Sequence, residues 1–197
     1  NVLTVWVLDK TLELFGSLPN EEQQALSLKI HLAAGEIDRW RAMTRRMTVP
    51  MDPDGLIHQF EGYMDLQELS WDEYREKYEN IQRVDRILKA EGLSPDSFKA
   101  AKQADTLMLF YVLNEQELRA TFERLGYPFN KDILKKNFDY YLPRTSHGSS
   151  LSRIVHAYVA EQVGEKETAL RFFYDALRSD IYDTQGGTTQ EGIHVGV

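Results

Sequence analysis

Leu151, Ile154, Val155, Tyr158, Val159 and Val163 recur at i, i+3, i+4, i+7, i+8 and i+12, the spacing of a helix with one buried face. Gly164 stops that helix, and Ala169, Phe172, Phe173, Ala176 and Leu177 mark a partner after it. Comparable segments arrive about every 15 to 20 residues along the chain, joined by short loops that favour antiparallel neighbours. The pattern predicts an all-α chain built from paired helical hairpins. No repeat of fixed length runs through them, which argues against a consensus solenoid.

Taken in order, Val2, Val5, Trp6, Asp9, Leu12 and Phe15 fall mostly on one face of a first helix that Gly16 and Pro19 end. Asn20, with Gln23 as reciprocal partner, is the expected N-cap of a second helix reaching about Ala33. A third, Glu36 to Met47, is expected to turn Trp40, Met43 and Met47 inward and Arg41, Arg45 and Arg46 elsewhere. Residues 48–60 break the helical pattern: Pro50, Pro53 and the Asp54-Gly55 pair predict a turn between short extended pieces, the one β signal in the chain. Ser70 to Glu73 reads as a capping box before a helix ending near Tyr78, and Val84 to Ala90 forms the next. The most apolar run, Leu107 to Leu113, with its lead-in from about Ser97, reads as one helix buried nearly all round. Asn114 with Glu117 caps a helix to about Gly126, and Lys131 to Tyr141 forms another.

Composition narrows the chemistry. The 197 residues carry 23 Lys+Arg against 31 Asp+Glu, a formal charge of -8, which does not suit a nucleic-acid surface. With no cysteine, thiolate metal sites, disulfides and cysteine nucleophiles are excluded, and a reducing cytoplasm is compatible. No apolar stretch approaches the roughly 20 residues a spanning helix needs, and no signal segment opens the chain. Asn1 in place of an initiating Met, and an end at Gly196-Val197 inside structured-looking sequence, lead us to expect a fragment of a larger protein.

What remains is carried by loops. Thr145-Ser-His-Gly-Ser-Ser-Leu-Ser152 is a polar turn running straight into the periodic helix. Its hydroxyls either cap that helix or join its unpartnered first-turn N–H groups in holding an anion. The tail Asp183 to His194 is a second glycine-rich polar loop that offers N–H groups and one imidazole. Lys102, Gln103 and Asp105 lead into the apolar run as a cavity edge or a plain helix terminus, and Phe60-Glu61-Gly62-Tyr63 is a sugar-hydroxyl contact or an ordinary loop. A calcium loop at Asp52 and Asp54 fails, because Pro53 intervenes and the twelfth position is Tyr63. His-Glu-x-x-His, a phosphate loop ending in Gly-Lys-Ser/Thr and Gly-x-Gly-x-x-Gly are all absent, and Gly148 to Ser152 lacks the second glycine and preceding strand of a nucleophile elbow.

Five segments in order carry a resemblance: Asp54-Gly-Leu-Ile-His-Gln-Phe-Glu-Gly-Tyr-Met-Asp-Leu66, Lys102-Gln-Ala-Asp105, Asn137-Phe-Asp-Tyr-Tyr141, Thr145 to Ser152, and Gly192-Ile-His194. Together they resemble the C-terminal half of the catalytic domain of family 65 glycoside phosphorylases and hydrolases, from near residue 1 to the end. The resemblance implies a partial (α/α)6 barrel, with residues 1–197 as its C-terminal portion. It implies inverting phosphorolysis of an α-linked glucose disaccharide to β-glucose 1-phosphate. Phosphate would be held by Ser149, Ser150 and His194, and the glucosyl unit by Lys102 and Gln103, with Phe60 and Glu61 as further substrate contacts. No metal and no cofactor beyond co-substrate phosphate are implied.

Two departures accompany it. Family phosphorylases usually read His-Asp-Ser-Ser, whereas Gly148 follows His147 here. The family's general acid lies upstream of residue 1, so no catalytic residue is assigned in this chain, and an inverting reaction needs that acid. The remaining part of the parent protein, or a second copy in a homodimer, is therefore the expected partner of faces such as Val2 to Phe15. Two other readings stay open: an inverting α-glucosidase of the same fold, and a non-catalytic helical interaction module.

Overall fold

The computed structural model describes residues 1–130, 132–179 and 181–182. Its helices are α1 (Val2–Ser17), α2 (Asn20–Lys29), α3 (Glu36–Arg46), α4 (Trp71–Lys77), α5 (Val84–Ala90), α6 (Asp105–Val112), α7 (Glu115–Arg124), α8 (Ile133–Tyr141), α9 (Ser150–Gln162) and α10 (Lys166–Arg178). The fold is all-α: among the described residues, extended chain pairs only as isolated bridges, Met51 with Ile57, Gln67 with Phe98 and Ala101 with Thr145. No described helix is long and apolar enough to cross a membrane. The chain divides into two compact units, Asn1–Val49 with Leu113–Asn130, and Pro50–Val112 with the described residues beyond 131.

In the first unit α1 packs on α3 and α7. Val2 and Val5 face inward from α1 and Leu118 and Phe122 from α7, each large side chain worth about 1.5–3 kcal/mol of burial. Asn114 and Glu117 form the expected reciprocal cap of α7, and Glu117 also accepts a hydrogen bond from the Trp6 indole at 3.2 Å. Asn20 does not cap: it is the first helical residue, and the Gln23 amide donates to the Leu18 carbonyl instead. In α3 the buried side chain is Thr44, while Met43 is exposed.

The second unit holds every described candidate residue. Here α9 and α10 pair as a hairpin around Gly164, and α6 packs on α8 and α9. Leu107, Phe110, Phe138, Val155 and Val159 fill the interior, and a second cluster gathers Leu69, Trp71, Val84 and Leu88. The predicted turn at 48–60 is present, with Met51 bridging antiparallel to Ile57, and α8 fixes it in place. Fully buried Asn137 accepts from the Ile57 N–H at 2.9 Å and donates to the Gly55 carbonyl at 2.9 Å and the Ile133 carbonyl at 2.7 Å. Tyr141 adds a hydroxyl bond to the Ile57 carbonyl at 2.6 Å, and Lys136 pairs with Asp54. Gly55 sits at φ +96 with Ile133 beneath it, a conformation that L side chains avoid.

Three expectations are corrected here. The helix expected from Ser97 begins only at Asp105, because backbone groups of residues 97–101 are engaged by distant chain: Gln67 N–H donates to Ser97, Lys99 N–H to Gln67 and Ala101 N–H to Arg144. Nor is α6 buried all round, since Tyr111 and Val112 are exposed. Ser70 stands at the N-cap of α4 without making a cap hydrogen bond.

Candidate functional site

Backbone pairing brings the candidate residues together. Ala101 N–H donates to the Arg144 carbonyl at 2.9 Å, and Ser146 N–H donates to the Ala101 carbonyl at 2.8 Å. This parallel bridge aligns two segments that continue, one into Lys102-Gln103 and the other into Gly148-Ser149. A third loop joins when the Gln59 side-chain oxygen accepts from the Asp105 N–H at the start of α6, 3.3 Å away. The result is a cavity of about 420 Å3 lined by Gln59, Phe60, Ala100, Ala101, Lys102, Gln103, Asp105 and Ser149.

Of the expected site residues, Phe60, Lys102, Gln103 and Ser149 thus share one cavity. Glu61 is exposed on the loop after Phe60 and is not part of the lining. Ser150 follows Ser149 as the first residue of α9, also outside the lining. His194 lies outside the described residues. Gln59 and Asp105 complete the wall. Asp105 is exposed and takes the Gln103 amide at 3.2 Å, whereas nothing in the local pattern marked Gln59.

The chemistry of this wall suits a polar ligand. Ser149 occupies the N-cap of α9 at φ -122 and ψ 137, and its side chain makes no cap hydrogen bond. An N-cap hydroxyl ordinarily satisfies a first-turn N–H; here it is left for the cavity, beside the positive end of a 13-residue helix. The Lys102 ammonium and the Gln103 amide add donors, and the Phe60 ring is 52 % exposed, an apolar face suited to stacking on a sugar. Among the described residues no cluster of His, Asp or Glu has the arrangement of a metal site.

Behind the turn, the imidazoles are kept neutral. His156, fully buried, points Nδ1 at the Ser152 carbonyl, 2.7 Å away. A carbonyl only accepts, so that nitrogen carries the proton. Its Nε2 is buried without a hydrogen-bond partner among the described residues. Burial pushes the His156 pKa down to about 4, with the Ser152 carbonyl opposing. His147 places Nδ1 3.1 Å from the Ser152 hydroxyl, and burial, helped by His156, Arg153 and Arg171, pushes it down to about 2.

Gly148 has a steric explanation. A Cβ at this position would meet the Gln82 carbonyl oxygen at 2.2 Å, Lys102 Cγ at 3.1 Å and Arg83 Cδ at 3.3 Å. The same carbonyl accepts from the Ser146 hydroxyl at 2.9 Å, so the backbone at Gln82 lies directly against the turn. Only glycine permits that approach.

Comparison with known proteins supplies the context. The model of the "Glycosyl hydrolase family 65 central catalytic domain" matches residues 1–197. An uncharacterized glycosyl hydrolase of Mycobacterium tuberculosis is 50% identical over 99% of this chain and 14% of its own length. Trehalose 6-phosphate phosphorylase of Lactococcus lactis is 43% identical over 82% of this chain and 21% of its own, and kojibiose phosphorylase of Thermoanaerobacter brockii is 31% identical over 98% and 23%. A solved structure provisionally described as a kojibiose phosphorylase from the human microbiome superposes with a TM-score of 0.69 at 22% identity, over 97% of this chain and 25% of that one. The chain therefore spans less than a quarter of the length of these curated relatives.

Proposed function

We propose a function from one premise: this chain belongs to the central catalytic domain of glycosyl hydrolase family 65. In this reading it is the phosphate- and glucose-binding part of an inverting disaccharide phosphorylase. An acid supplied from outside the chain protonates the glycosidic oxygen of an α-linked glucose disaccharide. Inorganic phosphate attacks the anomeric carbon from the opposite face, and β-glucose 1-phosphate and the released sugar result. The carrying observation is Ser149, an N-cap hydroxyl not spent on capping, in one cavity with Lys102, Gln103 and Phe60.

The division of labour follows from the chemistry. Ser149, Ser150, the first-turn N–H groups of α9 and His194 hold phosphate without forming a bond to it, fixing a nucleophile that needs position more than activation. Lys102 and Gln103 grip hydroxyls of the glucosyl unit, and Phe60, with Glu61 beside it, borders the sugar. Phosphate is a co-substrate, and no cofactor takes part. The protein acts in the cytoplasm, where phosphate and sugar phosphates are at hand.

An apolar groove of about 750 Å3 runs between α9 and α10, lined by Tyr111, Ile154, Tyr158, Leu170 and Phe173 among others. We assign it to the part of the family domain outside these residues, since single domains rarely leave so large an apolar face in water. A hydrolytic reading draws on Asp105, a carboxylate within the cavity that is able to activate water.

One assay separates the two. The full-length protein carrying this chain is incubated with kojibiose, trehalose, maltose and trehalose 6-phosphate, with and without phosphate. Phosphate-dependent release of β-glucose 1-phosphate from one of them is expected. Release of free glucose at the same rate without phosphate overturns phosphorolysis. The 197-residue chain alone is expected to form no glucose 1-phosphate.

A further inference from the structure

His147 lies two residues before Ser149. Its φ is +54, in the left-handed region that only a few per cent of non-glycine residues enter, histidine more readily than most. Such a backbone persists only where its surroundings over-determine it, and strained residues gather at functional sites. The surroundings here are specific. The imidazole Nδ1 meets the Ser152 hydroxyl at 3.1 Å. The ring stands edge-on to His156 at 4.5 Å and packs on Phe172 of α10 at 4.6 Å.

The Ser152 carbonyl takes the proton on His156 Nδ1, and the Ser152 hydroxyl shares a hydrogen bond of 3.1 Å with His147 Nδ1. Burial keeps the His147 ring neutral. One turn of α9 separates Ser152 from Ser149, so the ring ties the residue before the turn to the helix after it. On the other flank, Ser146 holds the Gln82 carbonyl, and that carbonyl bears on Gly148. Residues 146 to 149 are therefore gripped from both sides, with the imidazole packed against His156 of α9 and Phe172 of α10.

We propose that His147 is a positioning residue of the phosphate site: its imidazole, clamped by Ser152 between His156 and Phe172, fixes the left-handed turn that presents Ser149 to the cavity. The ring touches neither phosphate nor sugar and acts through Ser149 alone. This inference rests on the phosphate reading proposed above.

The test uses steady-state kinetics of the full-length protein, with KM for phosphate and for disaccharide measured separately, alongside Tm. His147→Gly is the decisive variant, because glycine accepts a positive φ without strain and removes only the clamp. It is expected to raise the phosphate KM about 10-fold or more while the disaccharide KM stays within about twofold. Ser152→Ala is expected to act in the same direction. His147→Asn, which tolerates the left-handed region and keeps a short hydrogen-bonding side chain, is expected to recover part of the loss. An unchanged phosphate KM in His147→Gly, or an equal rise in both KM values, overturns the inference. Ser149→Ala tells the two levels apart. If it leaves the phosphate KM unchanged, the phosphate reading fails and this inference with it; if it raises that KM while His147→Gly does not, only the positioning role fails.

Discussion

Gly148→Ala isolates the contact that most tightly shapes the turn. The added Cβ would lie 2.2 Å from the Gln82 carbonyl oxygen, where ordinary van der Waals contact begins near 3.4 Å, so more than an ångström must open between two backbone segments. The obstacle is main chain, held in place by the Ser146 hydroxyl, and cannot swing aside as a side-chain tip would. Overpacking of this kind costs about 1–3 kcal/mol. At about 2–4 °C per kcal/mol for a chain of this size, the Tm should fall by about 2–12 °C, read by circular dichroism at 222 nm. Ser146→Ala releases the carbonyl, so the double variant Ser146→Ala/Gly148→Ala should be less destabilised than the sum of the singles, by about 0.5 kcal/mol or more. Gly148→Asp, which restores the usual family residue, meets the same carbonyl and should not stabilise the chain, despite Lys102 and Arg83 nearby. A Gly148→Ala protein melting within about 1 °C of the parent would refute the steric argument.

Other consequences can be measured on the same material. Below pH 6.5 the unfolded chain protonates His156 while the folded chain resists until about pH 4. Stability from this residue is therefore complete above pH 6.5 and declines as the pH falls to 4, by about 3 kcal/mol in all; urea midpoints at pH 7.5 and 4.5 should differ less in His156→Gln. Asn137→Ala strands the Ile57 N–H and the Gly55 carbonyl in a buried setting and should cost about 2–5 kcal/mol in urea denaturation. In the full-length protein, Lys102→Ala should raise the disaccharide KM more than the phosphate KM, the reverse of Ser149→Ala.

Local patterns in the sequence carried local structure well. The helix at Val84–Ala90, the reciprocal cap of Asn114 and Glu117, and the hairpin on either side of Gly164 depend on residues within a turn or two of each other. The failures are of the opposite kind. Residues 98–104 have the apolar pattern of a helix but spend their backbone groups on Gln67 and Arg144. Asn20 and Ser70 have the right neighbours for capping, yet neither side chain makes the bond. The cavity divides along the same line. Motif order named Lys102, Gln103, Phe60 and Ser149, while Gln59 enters only through its bond to the Asp105 N–H, 46 positions away. The need for glycine at 148 was invisible because it is imposed by Gln82, a residue with no periodic relation to it.

The bridge between Ala101 and Thr145 leads to a statement about binding order. Two backbone hydrogen bonds make the loop bearing Lys102 and Gln103 and the loop bearing Ser149 a single mechanical piece. Any ligand that steadies one loop has already met part of the ordering cost of the other. Sugar and anion should then help each other bind, by equal factors in both directions, as linkage requires. On the phosphorylase reading proposed above, each of the two substrates is then expected to bind more tightly when the other is already present.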